Sequence, residues 1–239
     1  MRLLLLSNST QFGKGYLDHA ESEIARLLEG RRSLLFVPFA LHDQAGYALK
    51  ASERLSRLGI EVSRLEEGSA APEKVAEAEA LFVGGGNTFR LLDRLQRSGV
   101  IGAIRRKVER GMPYLGASAG TVVAAPTIRT TNDMPIVQPA SLDALGLVPF
   151  QINCHYLDAD PASRHMGETR EQRLKEFHEE NDTMVVGLRE GAMLSVTGTA
   201  GRLEAVLLGG SGARVFRKGH PPEEVAPGAA LDHPPSPAK

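Results

Sequence analysis

The chain has 239 residues, 42% of them apolar, with 28 Lys and Arg against 29 Asp and Glu for a formal net charge of −1. That length can bury one substantial core, and nothing in the even charge balance points to nucleic acid or to an anionic membrane surface. One cysteine, Cys154, cannot form an internal disulfide, the apolar run at 3–6 is shorter than the roughly 7–15 residues of a signal-peptide core, and no stretch approaches the roughly 18 apolar residues of a membrane span. A cytoplasmic enzyme acting on small molecules is expected. The seven histidines include no HxH or HxxxH pair of the zinc-binding kind, so neither metal nor cofactor is expected.

Apolar runs at 3–6 and 34–37 alternate with stretches of helical period at 16–28 and 47–58, the βαβα rhythm of a mostly parallel sheet. Continuous apolar runs at 80–83 and 113–115 read as central strands covered on both faces, with helices at 89–95 and 101–108 between and beside them. After Leu188 the pattern changes to three short strands, 193–196, 203–208 and 213–216, separated by glycine-containing turns. They predict an antiparallel edge on the sheet. Residues 219–239 hold six of the 14 prolines, so the expected organisation is one α/β domain over 1–218 and a flexible tail over 219–239. No internal repeat is present, and the sequence does not specify an oligomeric state.

Ligands of such sheets bind beyond the carboxyl ends of the strands. Two turns stand there, Gly84-Gly85-Gly86-Asn87-Thr88 and Gly116-Ala117-Ser118-Ala119-Gly120. Gly-x-Ser-x-Gly after a strand is the nucleophile-elbow pattern, in which glycines let the backbones crowd together and present the serine hydroxyl. Residues 112–115 supply the strand, residues 119–125 a small apolar helix start, and the Ala119 N–H an oxyanion donor. The plain alternative is a tight turn whose serine caps the helix. The glycine triplet matches no complete nucleotide motif; it supplies a second oxyanion donor at Gly86, a phosphate cradle, or simply a close turn.

A serine hydroxyl needs a base near neutral pH. His155, after the apolar stretch 148–152, is placed at a strand end or in the adjoining loop, whereas His19, His165 and His178 lie in polar or helix-like settings and His220 and His233 in the tail. An acid must orient the imidazole. Glu190 follows the strand at 184–188, Asp133 lies in the polar loop 129–133, and Asp158 sits close to His155 in sequence; each is otherwise a solvated loop charge.

The segments LLLSNST (4–10), VGGGNTF (83–89), GASAG (116–120), TIRTTNDMPIV (127–137) and GETREQR (167–173) together closely resemble peptidase E, the aspartyl dipeptidase family, over about residues 1–218. The resemblance implies a fold similar to the class I glutamine amidotransferases, with a nucleophile, histidine, glutamate order that Ser118, His155 and Glu190 match. It places Asp133 on another functionally important acid, for loop organisation or the substrate ammonium, and Gly86 and Ala119 on the oxyanion donors. Arg170, with the forked geometry that grips a carboxylate, is the expected cation for an aspartyl side chain, and Asn87 a further substrate-binding residue. Ala117 stands where the family pattern has a bulkier aromatic and Cys154 where it has proline; neither change removes a catalytic group. The expected activity is hydrolysis after an N-terminal α-linked aspartate in very short peptides. The alternatives are a cyanophycinase-like β-aspartyl peptidase and a catalytically silent binder of acidic dipeptides.

Overall fold

A computed structural model describes residues 1–162, 164, 166–199 and 201–233. In chain order its elements are β1 (Arg2–Leu6), α1 (Glu21–Leu27), β2 (Ser33–Val37), α2 (Gln44–Ser56), β3 (Glu61–Arg64), α3 (Ala71–Glu77), β4 (Leu81–Val83), α4 (Thr88–Arg97), α5 (Ile101–Glu109), β5 (Tyr114–Ala117), α6 (Ala119–Val122), β6 (Gln151–Asn153), α7 (Arg170–Glu180), β7 (Val185–Leu188), β8 (Met193–Thr199), β9 (Arg202–Leu208), β10 (Ala213–Phe216) and β11 (Glu223–Val225).

Successive side chains of a strand point to opposite faces, so apolar runs serve two cores at once. Leu3, Leu5, Leu35, Val37, Leu81 and Val83 pack on one face with α3, α4 and α5. Leu4, Leu6, Leu34, Phe36 and Phe82 pack on the other with α1 and α2. The result is a seven-stranded sheet in the order β3-β2-β4-β5-β1-β8-β9, in which the first five strands are parallel and β8 and β9 antiparallel. The carboxyl ends of β4, β5 and β1, adjacent at its centre, place the Gly84 turn, Ser118 and Ser7 side by side.

A second sheet runs β11-β10-β7-β6, with β6 and β7 parallel. Of the three strands expected as an antiparallel edge, β8 and β9 take that place, while residues 213–216 pair with β7 instead. Ala213, Val215 and Phe216 are buried there, and an apolar alternation of that length does not specify which sheet it joins. The helical stretch at 16–28 is interrupted because Leu17 adopts φ 61, so a short 3-10 turn at Asp18–Ala20 precedes α1. The edge strand β3 has no buried residue, which is why no apolar run marks it.

The first part of the expected tail is built into the domain. Residues 223–225 pair with β10, Leu207 exchanges backbone hydrogen bonds with Gly228 and Ala229, the Leu231 N–H donates to the Ala205 carbonyl, and Leu231 is buried. Glu224 pairs with Arg189, and Glu223 with Arg217. Prolines and glutamates hid this strand from an apolar-pattern reading. The prolines at 234, 235 and 237, like His165, lie outside the described residues. Removing everything after Lys218 uncovers two sheet edges and strips Arg189 of Glu224. The melting temperature of the truncated protein is expected to fall by roughly 5–10 °C, at about 2–4 °C per kcal/mol for a domain of this size; an unchanged melting curve would contradict this packing.

Candidate active site

The Gly116 to Gly120 segment is a sharp elbow between β5 and α6. Ser118 takes φ 51 and ψ −111, a conformation that side chains rarely adopt and that persists only when its surroundings impose it. The flanking glycines explain how. A Cβ on Gly116 would lie 2.7 Å from the Gly120 carbonyl oxygen, and one on Gly120 would lie 1.9 Å from the Val83 carbonyl oxygen. The Ser118 N–H and the Thr121 hydroxyl both donate to the Leu6 carbonyl at the end of β1, at 3.0 and 2.7 Å. The Ser118 side chain makes no helix-capping hydrogen bond. It meets His155 instead, with Oγ 3.0 Å from Nε2.

His155 arrives from the second sheet. Because β6 and β7 are parallel neighbours, the residues just past their carboxyl ends are neighbours too, and His155 Nδ1 lies 2.8 Å from Glu190 Oε1. A carboxylate only accepts, so an imidazole protonated at Nδ1 donates to Glu190 and leaves Nε2 to accept the Ser118 hydroxyl. Both side chains are about half open to solvent. His155 also has a positive φ of 53, held by an anchor that sequence reasoning missed. The buried Ser7 hydroxyl accepts the His155 N–H at 2.9 Å and donates to the Leu188 carbonyl at 2.9 Å, while Asn8 Oδ1 accepts the Gly191 N–H at 2.8 Å. Ser7 and Asn8 therefore tie the end of β1 to the segments carrying His155 and Glu190. Their position, directly after a buried parallel strand, was a usable sequence signal.

The glycine turn stands on the other side of Ser118. A Cβ on Gly85 would come within 3.0 Å of both the Ser118 Cβ and the Ala117 carbonyl oxygen, and Gly86 adopts φ 135. Tyr47 props this turn by accepting the Gly85 N–H at 2.8 Å. Among the described residues the N–H groups of Gly86 and Ala119 have no acceptor. Together with Ser118 and His155, Gly85 and Gly86 line an open cleft of about 680 Å³ that also includes Asn8, Tyr16, Tyr47, Lys50 and Asp133.

Asp133, Asn87 and Arg170 lie outside the serine, histidine and glutamate chain. Asp133 lines the cleft, but its Oδ2 accepts from the Thr88 N–H at 2.7 Å, the Thr88 hydroxyl at 2.5 Å and the Thr131 hydroxyl at 3.3 Å; the histidine's partner is Glu190. Asn87 is the N-cap of α4, a position that favours such a side chain: Oδ1 accepts the Arg90 N–H at 3.0 Å and Nδ2 donates to the Met134 carbonyl at 2.9 Å. It holds the glycine turn and the 129–137 loop together and is absent from the cleft wall. Arg170 opens α7, where a Thr169–Gln172 capping box fixes the first turn, and it lines a separate cavity of about 380 Å³ with Leu157, Asp158 and Arg173. Burial, then the nearby Arg173, lower its pKa, and it has no ion pair among the described residues. Asp158 pairs with Arg189 at 2.7 Å, away from His155.

The loop 127–137 is pinned along the free edge of β6. Thr130 Oγ1 donates to the Ile152 carbonyl, Asn132 Nδ2 to the Cys154 carbonyl and Asn153 Nδ2 to the Thr130 carbonyl, at 3.0, 2.7 and 2.7 Å. Cys154 is buried, and that burial, with Asp133 adding to it, pushes its thiol pKa up. It is a neutral thiol packed against the Ser118 carbonyl at 3.5 Å.

A serine on a strained strand-to-helix elbow, hydrogen-bonded to a histidine that is in turn hydrogen-bonded to a carboxylate, is the arrangement of a serine hydrolase. The model of peptidase family S51 matches residues 3–203, and the chain belongs to that family. It is 54% identical over 231 residues to peptidase E of Streptomyces coelicolor, covering 97% of this chain and 93% of that one. It is 45% identical to a Drosophila melanogaster protein named probable alpha-aspartyl dipeptidase, covering 96% and 95% of the two chains. The fold matches the crystal structure of a peptidase from an acI-B1 Actinobacterium with a TM-score of 0.72, at 18% identity and 96% coverage of both chains.

Proposed function

We propose that the protein is a serine peptidase that hydrolyses the bond after an N-terminal α-linked aspartate in dipeptides and very short peptides. The observation that carries this is the continuous hydrogen-bonded chain from Ser118 through His155 to Glu190, in a chain closely related to proteins named peptidase E and alpha-aspartyl dipeptidase. Ser118 Oγ attacks the aspartyl carbonyl carbon as its proton passes to His155 Nε2, and Glu190 stabilises the imidazolium. The N–H groups of Gly86 and Ala119, which have no acceptor among the described residues, hold the oxyanion. Collapse of the intermediate breaks the C–N bond, with the leaving amine taking the proton from Nε2. A water then attacks the aspartyl ester by the reverse proton route and frees aspartate and Ser118.

Asp133 offers the substrate ammonium a carboxylate on the cleft wall. Arg170, which lines the neighbouring cavity and not the cleft itself, is assigned to the aspartyl side chain on the resemblance of the 167–173 segment; its guanidinium has no ion pair among the described residues and retains its donors for a ligand that reaches it. The buried free thiol of Cys154 suits a reducing, cytoplasmic setting, and among the described residues no helix is long and apolar enough to cross a membrane.

The test is release of free aspartate from Asp-Leu, with Glu-Leu and Ala-Leu as controls, by the wild type and Arg170→Ala. Selective cleavage of Asp-Leu, reduced roughly 100-fold in kcat/KM by Arg170→Ala, about the loss of a charge-assisted pair, is the expected result. Cleavage of all three peptides alike would overturn the aspartate specificity, and no cleavage by a folded sample would overturn the peptidase assignment. An undiminished Arg170→Ala variant would remove Arg170 from the site.

Ser7→Ala tests the anchor behind His155. Leaving the His155 N–H without its acceptor costs about 1–3 kcal/mol and loosens the base, so kcat is expected to fall about tenfold or more while the circular dichroism spectrum is kept. Unchanged kcat would show that β6 positions His155 without Ser7.

A further inference from the structure

An aspartyl dipeptide carries two carboxylates, and Arg170 in the neighbouring cavity is the cation proposed for one of them. We propose that Lys50 binds the other, the C-terminal carboxylate of the substrate, and thereby favours very short peptides at Ser118; the inference rests on the peptidase function proposed above. Besides the tyrosines Tyr16 and Tyr47, four charged or titratable side chains line the cleft: Asp43, Lys50, Asp133 and His155. Asp43 caps α2 by accepting the Gly46 N–H at 2.9 Å, Asp133 is bonded to Thr88 and Thr131, and His155 to Ser118 and Glu190. Lys50 has no anionic partner among the described residues.

The lysine is nonetheless held. Its ammonium lies 4.6 Å from the centroid of the Tyr16 ring, a cation–π contact. Tyr16 is buried and packs edge-on against Tyr47 with ring centroids 6.3 Å apart, and Tyr47 is the residue that bonds the Gly85 N–H. One helical turn beyond Lys50, the buried Arg54 donates to the Tyr16 carbonyl at 2.9 Å and pairs with Asp18 and Glu21. The position of the ammonium is thus referred, through two rings, to the glycine turn beside Ser118.

With Arg170 assigned to the aspartyl side chain, the C-terminal carboxylate is the one left for Lys50, the cation that shares the cleft with Ser118. That carboxylate lies one residue beyond the aspartate, with consecutive Cα atoms about 3.8 Å apart. Each added residue carries the terminus up to about 3.3–3.6 Å beyond, past a cation anchored to Tyr16.

The experiment measures calorimetric binding of Asp-Leu and of Asp-Leu-amide to the Ser118→Ala protein, which does not depend on turnover. At low salt, where a partly exposed ion pair is least screened, the free acid is expected to bind about tenfold more tightly than the amide, as suits one charge-assisted contact. Lys50→Gln in the same background is expected to erase that preference by weakening the acid to the level of the amide, and Lys50→Arg to keep most of it. Equal affinities for acid and amide in the Ser118→Ala protein would overturn the proposal. So would equal weakening of both ligands by Lys50→Gln, or a loss that instead follows Asp-Leu against Asn-Leu. Failure of the wild type to cleave any peptide would count against the peptidase function alone, since the binding comparison still decides the role of Lys50.

Discussion

Replacing Ser118 with alanine is expected to abolish release of aspartate from Asp-Leu while leaving the fold intact. Removing a nucleophile that acts as a unit with its base lowers kcat by about 10⁴-fold or more, and the remaining groups retain only weak catalysis. The fold should not register the change, because the Ser118 side chain caps nothing. The elbow is held by the Ser118 N–H donating to the Leu6 carbonyl and by glycines on either side. Alanine has the same cost as serine at φ 51, so the strained turn is no harder to form. Melting curves and circular dichroism matching the wild type, with aspartate release at background, is the expected pair of results. Retention of more than a few per cent of activity in a clean preparation would remove Ser118 as the nucleophile.

Gly120→Ala is expected to have the largest effect on stability of any single substitution considered. The added methyl group would stand 1.9 Å from the buried Val83 carbonyl oxygen, so β4 or the first turn of α6 must move. Neither is the flexible end of a side chain that can swing aside. Overpacking of this kind costs typically about 1–3 kcal/mol and sometimes more, and a backbone clash belongs at the upper end, giving a fall in melting temperature of roughly 5–10 °C or failure to fold. Activity should fall further than stability does, because Val83 leads directly into the glycine turn that faces Ser118. Gly210→Ala is the control: a Cβ there meets nothing within 4 Å, and its φ is not positive. A Gly120→Ala protein as stable and active as the Gly210→Ala control would contradict the close approach of β4 to the elbow.

Much of this was legible in the residues because buried parallel strands leave a plain mark. The runs at 3–6, 34–37, 80–83 and 113–115 must be apolar on both faces, and all four became strands of the main sheet. Edge strands leave no such mark. Glu61 to Arg64 and Glu223 to Val225 contain no buried residue, so hydrogen bonding to a neighbouring strand, which no side-chain pattern records, is what makes them strands. The site divides in the same way. Ser118 and His155 could be picked out because strained turns and strand ends require glycine and polar residues at set positions, whereas the residues alone left Glu190, Asp133 and Asp158 open and the resemblance chose Glu190. Tyr47 and Lys50 could not, since 47–58 reads simply as an amphipathic helix and only the packing of α2 against the glycine turn and Tyr16 brings both to the cleft. Asn87 and Arg170 illustrate the opposite limit. A resemblance places a residue in a motif without saying which way its side chain turns, and here one caps α4 and the other faces a neighbouring cavity.

The most direct measurement is the rate of aspartate release from α-linked and β-linked Asp-Leu, side by side, with the wild-type protein. The expected result is hydrolysis of the α-linked peptide with little or none of the β-linked one. Cleavage confined to the β-linked peptide would contradict the proposed specificity and make the protein a β-aspartyl peptidase working with the same serine, histidine and glutamate.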